Sequence, residues 1–256
     1  MKNTMKTTIV FAVMALIALS FAVPAVVAED AVIADAAENV TLVEPGISPD
    51  SALYGLDKAI ERISMALTFD KAKRAEKALA NAEERLAEVK AMVDANKLDK
   101  AEVAQKGHEE DVAEAEKDVE EIESDGDAEK AKKALEDVSK VQKEILTHSQ
   151  KVAAVKDRIL AMMAEKNMSA DKIARITAVF DKIKAKAVEM ENKSLQKKEQ
   201  VKTKYKTLAG KTDAEVEEVE SEIDAETGLD VAAEKSKGKS AENKTGATAT
   251  EGEAEE

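Results

Sequence analysis

Between Ser51 and Gly228 the chain contains no proline, and apolar residues recur three then four positions apart among Lys, Glu and Ala. That spacing lays one apolar stripe along an α-helix, and no proline removes a donor from the helix interior. The pattern predicts an all-α protein, an elongated helical bundle of coiled-coil-like antiparallel helices with disordered termini. Long helices bury a narrow seam against one another and rarely enclose the concave apolar pocket that most enzymes use.

Composition points the same way. Charged residues make up 36% of the chain, and beyond position 28 its aromatics are Tyr54, Phe69, Phe180 and Tyr205, a balance close to that of coiled coils. The absence of Cys excludes disulfides, thiolate metal sites and a Cys nucleophile. A formal charge of -14 opposes nucleic acid as a partner, since phosphates are repelled on average and no stacking aromatics interleave with the lysines.

Lys2 and Lys6 precede an apolar run from Ile9 to Val23, and Val26-Val27-Ala28 supplies small residues for cleavage. This is the layout of a secretory signal peptide over 1–28. The segment is also long enough to span a bilayer, so membrane attachment is expected if it stays uncleaved. Either way the remainder is expected outside the cytoplasm: extracellular, periplasmic or cell-surface. Cleavage removes two lysines and no acid, which takes the charge of -14 down by two more.

Residues 29–50 carry Glu29, Asp30, Asp35, Glu38, Glu44 and Asp50, no Lys or Arg, and Pro45-Gly46 and Pro49, which reads as a flexible acidic linker. A first seam follows in Leu53, Leu56, Ile60, Ile63 and Leu67, with Asp50 or Ser51 as N-cap. Thr68-Phe69-Asp70 forms a joint. A second helix to about Ala95 sets Ala72, Ala75, Leu79, Ala82, Leu86, Val89 and Val93 on one stripe. Asp99 and Glu102 suggest a capping box opening a third helix over 99–123, with seam residues Val112, Ala115, Val119 and Ile122.

Ser124-Asp125-Gly126-Asp127 is a turn signal. Two long segments follow across 127–209. One carries Leu135, Val138, Val141, Ile145, Val152, Val155, Ile159 and Met162; the other carries Ile173, Ile176, Phe180, Ile183, Ala187, Met190, Val201, Tyr205 and Leu208. Their short connection at Asn167–Ser169 predicts an antiparallel hairpin. Thr212 with Glu215 predicts a capping box on a short acidic helix over 212–228, and residues 229–256 have the composition of a disordered tail.

Several of these pieces together resemble a known family. Pro45-Gly46, Ser51-Ala52-Leu53-Tyr54, Lys58, Glu61, Arg62, Thr68-Phe69-Asp70, Arg74 and Glu84-Arg85-Leu86-Ala87-Glu88 occur in the order seen in the domain of unknown function numbered 5667, found in exported bacterial and archaeal proteins. The resemblance covers about residues 45–123. Gly55 and Lys71 stand where the family often has proline. What it implies is an exported helical domain over 51–123; it transfers no catalytic residues.

Candidate chemistry is sparse. His108 and His148 lie on seams, but in a hairpin turning near 125–126 they should differ by ~9 Å in height, which opposes a shared metal. The Gly126 turn resembles a calcium loop, yet the position needing a bidentate Glu is Lys132. Residues 182–206 hold nine lysines and 213–226 eight acidic groups, so the last helix is expected to fold back on the basic end of the helix before it. Leu146-Thr147-His148-Ser149-Gln150 matches a five-residue pattern of small periplasmic chaperones, though in mid-helix. Asn39, Asn167, Asn192 and Asn243 head glycosylation sequons.

No catalytic, cofactor or metal set emerges. The sequence predicts an exported non-catalytic helical protein, an envelope scaffold or interaction module that binds envelope proteins or itself. The alternative is a periplasmic-type chaperone or a divalent-cation-binding helical protein.

Overall fold

A computed structural model describes residues 42–228, which are all-helical with no strand among them. The signal peptide, most of the linker, the tail, Asn39 and Asn243 lie outside the described residues. Six helices follow one another: α1 Tyr54–Ala66, α2 Lys71–Asp94, α3 Leu98–Glu120, α4 Ala128–Glu165, α5 Ala170–Ala209 and α6 Asp213–Thr227. No helix among the described residues is long and apolar enough to cross a membrane.

Helices α2 to α5 form a four-helix bundle. Short turns make α2 and α3 one antiparallel hairpin and α4 and α5 another, the tightest packings in the chain. The turns rest on left-handed backbone at Asn96 (φ 58°) and Asn167 (φ 45°), a conformation Asn tolerates well. Ion pairs fix how the hairpins meet. Lys140–Glu76 at 2.9 Å and Lys151–Glu83 at 2.7 Å align α4 parallel to α2. Arg175–Asp99 at 2.7 Å and Lys193–Glu116 at 2.9 Å align α5 parallel to α3. Each helix therefore has two bundle neighbours, and α3 stands diagonally opposite α4.

The stripes of α2 to α5 fill this interior. One apolar cluster gathers Ala72 to Ala82, Val112 to Ile122, Ala131 to Ile145, and Met190, Val201 and Tyr205. The other gathers Leu86 to Val93, Leu98 to Ala104, Val152 to Met163 and Ile176 to Ala187. Between them in α3 and α4 lie Gln105, His108 and His148, all buried. At the ends of α5, Ile173 and Leu208 run past the interior and are exposed.

Helix α6 folds back over the last turns of α5 and onto α4. Thr212 and Glu215 form the expected reciprocal capping box, and Val216 and Ile223 enter the first cluster. Lys198 donates to both carboxylate oxygens of Asp224 at 2.9 Å, and Lys202 reaches Glu220 at 3.0 Å. Lys206 pairs with Asp213. The acidic helix thus lies on the basic end of α5, with the Lys198–Asp224 pair buried.

Four local expectations change. The Asp99–Glu102 capping box does not form: α3 starts one residue earlier because Leu98 is buried, and Asp99 and Glu102 pair with Arg175 instead. Neither Asp50 nor Ser51 caps α1, whose N-cap is Leu53; Asp50 is drawn to Lys97. The end of the acidic linker is packed, with Pro49 buried, Leu42 against the second cluster and Ser48 3.7 Å from the Met92 sulfur. The first seam is turned outward: Leu53, Leu56, Ile60, Ile63 and Leu67 are 56–70% exposed, and Phe69 is 87% exposed.

Candidate functional site

The outward turn of α1 has its cause in the bundle. Arg85 on α2 is fully buried, and a buried guanidinium needs carboxylates around it. Within its own helix it donates to Glu88, also fully buried; from α1 it receives Glu61, with Asp57 at 3.7 Å. Asp111 on α3 lies 3.8 Å from its Nε, and the Tyr54 ring is 5.3 Å from its central carbon. Lys58 adds a pair to Glu110 at 3.1 Å. The polar side of α1 faces these groups, so its apolar stripe faces away.

Gly107 lets α3 come this close. A Cβ there would stand 3.1 Å from Arg85 Cδ and 3.2 Å from Lys58 Nζ. Beside the cluster a cleft of about 470 Å³ opens between α1, α2 and α3, with Glu61, Arg62, Arg74 and Glu114 among its walls.

More carboxylates than cations crowd this spot, and the titrations follow. Loss of water pushes Glu88 up to about 7, against the pull of Arg85. Desolvation likewise pushes Asp111 up to about 7 and the Tyr54 hydroxyl up to about 12. Burial opposes the charge on Arg85, but Glu88 and Glu61 hold it protonated well above its ordinary value. The cluster is therefore an ion network in which burial favours the protonated form of two of its carboxyls. Among the described residues no group of three or more His, Asp or Glu is placed to hold a metal ion.

The second polar feature overturns the ~9 Å height difference expected for the histidines. His108 and His148 are fully buried with their Nε2 atoms 2.9 Å apart. The connection from Glu121 to Asp127 crosses the bundle diagonal instead of making a tight hairpin, and α4 begins beyond the level where α3 ends. His148 lies eight residues deeper in its helix than His108 lies from its own end, and that ~12 Å is taken up along the axis by the connection.

The rings are within 23° of coplanar, and their centroids are 5.1 Å apart, farther than the nitrogens only by two ring radii. They therefore meet head to head, as for one N–H donating to the other's lone pair. Lone pairs aimed at each other across 2.9 Å leave no room for a metal between them. Both Nδ1 atoms are buried without a hydrogen-bond partner. Burial drives His108 well below the usual imidazole range, helped by His148, and lowers His148 to about 4, helped by Lys151.

Apart from the Leu146–Gln150 match, which contains His148, the remaining sequence candidates among the described residues stay apart from both clusters. At the Gly126 turn (φ 129°) Asp127 caps α4 by accepting from the Lys130 amide, and Asp125 pairs with Lys204, so its carboxylates serve the helix and a lysine. Asn167 is exposed in its turn. Asn192 is exposed in mid-α5, but the Ser194 hydroxyl of its sequon is buried and donates to the Glu191 carbonyl. The Leu146–Gln150 match lies inside α4, where Thr147 bonds the Lys143 carbonyl.

The convergence on Arg85 was not legible by spacing, because Tyr54, Glu61, Arg85 and Asp111 come from three helices. Its signal was the family-like motif itself: Tyr54, Lys58, Glu61, Arg85 and Glu88 are residues of that motif, and they meet here. Arg74, from the same motif, bridges α2 to α3 through Glu114 and Asp118. The motif is thus the set of contacts that joins α1, α2 and α3.

No curated protein and no solved structure matches the chain. The family model described as Domain of unknown function (DUF5667) matches residues 46–245, well past the 45–123 segment that carries the recognisable motif. That longer span takes in α1 through α6, the bundle as well as its signature cluster, and the chain belongs to this family.

Proposed function

We propose that the chain is an exported, non-catalytic helical scaffold of the cell envelope that works through the outer faces of its helices. The observation that supports this reading is α1, held to the bundle by its charged side and the buried Met65 while five large apolar side chains of the helix and its caps face solvent. An exposed apolar surface of that extent marks an interaction site. The buried polar groups fit the same reading, since Arg85 and its carboxylates serve to hold α1 in that orientation.

Export rests on the layout of residues 1–28. Its test is fractionation of the native host combined with crosslinking and mass spectrometry. The expected result is recovery outside the cytoplasm with crosslinks that involve α1. Recovery in the cytoplasm alone overturns the export reading, and crosslinks that avoid α1 overturn its role.

The same stripe favours one second reading, a chaperone that shields apolar stretches of unfolded clients. Suppression of aggregation of an unrelated denatured protein, lost on Ile63→Glu, would support it over the scaffold.

A further inference from the structure

We infer that the exposed face of α1 is a self-association surface, on which a second copy of this chain packs its own α1 in antiparallel fashion. This inference rests on the scaffold reading and names its partner.

The exposed large apolar residues of α1 and its two caps follow a strict three-then-four spacing, Leu53, Leu56, Ile60, Ile63 and Leu67, while Met65 is buried in the first cluster. Such spacing makes a narrow coiled-coil seam, not the broader face of a helix seated on a globular core. The seam is flanked by Ala52, Gly55, Ala59, Ser64 and Ala66, all exposed and small enough for a second helix to approach closely. An antiparallel partner would set Ile60 against Ile63 and Leu56 against Leu67, each contact occurring twice about the two-fold axis. Together with Phe69 these side chains offer roughly 700 Å² per copy, close to what each partner gives a standard interface.

Other occupants fit less well. Interfacial membrane helices present Lys and Arg beside their apolar face, whereas both cations of α1, Lys58 and Arg62, lie against Glu110 at 3.1 and 3.7 Å and the chain as a whole carries a charge of -14. An upstream segment of the same chain enters at the opposite end from Leu67 and Phe69, where Leu42 and Ser48 pack near Met92.

The chain contains no cysteine, so single cysteines report contacts without background. The purified secreted chain should sediment at twice its monomer mass within ~1–100 µM. Ile60→Glu should restore the monomer with an unchanged helical spectrum, because Ile60 is exposed. Mixed Ile60→Cys and Ile63→Cys chains should form the disulfide-linked dimer several-fold more than either variant alone. A wild-type chain that stays monomeric overturns the inference, as does a dimer indifferent to Ile60→Glu. Preferential linking of each variant to itself overturns the antiparallel arrangement. Monomers that pellet with phosphatidylcholine vesicles through Ile60 assign the face to lipid and overturn it too. These outcomes concern the purified chain, so a failure of export seen by fractionation is read separately.

Discussion

His108 and His148, forty residues apart, touch Nε2 to Nε2 at 2.9 Å across the diagonal of the bundle, at the level in α3 and α4 where one apolar cluster gives way to the other. A buried polar pair at such a boundary matches only one register of the two hairpins, because sliding either helix by a turn would strand both imidazoles among alkyl groups.

The pair should make the bundle acid-sensitive. His148 is lowered to about 4 in the folded chain against about 6.5 when unfolded, so between these values the unfolded chain binds more protons. The stability it contributes is present above pH ~6.5 and is lost as pH falls toward 4. Urea denaturation at pH 7.5 and 4.5 should show this loss, on the order of 2 kcal/mol, as the difference in pH dependence between the wild type and a His108→Leu/His148→Leu double variant.

Glu88 and Asp111 should act in the opposite sense. Their folded values of about 7 lie above the unfolded carboxylate range, so the folded chain binds more protons in between. Their contribution therefore grows as pH falls from 7 toward 4.5. Glu88→Gln should remove its share, on the order of 1–2 kcal/mol, from the difference in denaturation free energy between pH 7.5 and 5.

Arg85→Met should cost about 3–5 kcal/mol at neutral pH, because it strands Glu88 and Glu61 without their cation. Hydrogen exchange should show α1 released first, since Arg85 ties its Glu61 to α2. Arg85→Lys should recover only part of the loss, as one ammonium cannot fork to carboxylates on two helices.

Gly107→Ala is the reverse of an ordinary helix-stabilising change. Alanine brings about 1 kcal/mol of helix propensity, but its Cβ would stand 3.1 Å from the locked Arg85 side chain. A net destabilisation in thermal or urea denaturation is the expected outcome.

Lys198→Met should free α6. It leaves Asp224 buried without its cation, so amide protection in α6 should fall roughly 100-fold or more while α2 and α3 keep theirs. Because the pair is buried, raising the salt should change that protection little in the wild type.

The seams of α2 to α5 were readable because a helical stripe is a local pattern: each large apolar residue from Leu79 to Tyr205 on those stripes announces its own face within one or two turns. Thr212 and Glu215 were readable as a cap for the same reason, being three residues apart. Asp99 and Glu102 had the same spacing and failed, since the burial of Leu98 and the pull of Arg175 from another helix outweighed the local box. Arg85 stood out only as part of the family-like motif, and no local spacing indicates that carboxylates of α1 and α3 would close around it.

The sequence alone determined that this chain is helical, where most helices begin and end, and which side of each bundle helix is apolar. These follow from backbone propensity and a period of 3.6 residues, both short-range. Tertiary structure alone decided which helix faces which. The seams are built from interchangeable Ala, Val, Leu and Ile, so the diagonal step from α3 to α4, the meeting of His108 with His148 and the outward turn of α1 depend on contacts made across the fold. In α1 the side that supplies Glu61 and Asp57 to the buried Arg85 faces the bundle, and the five apolar side chains are left facing outward.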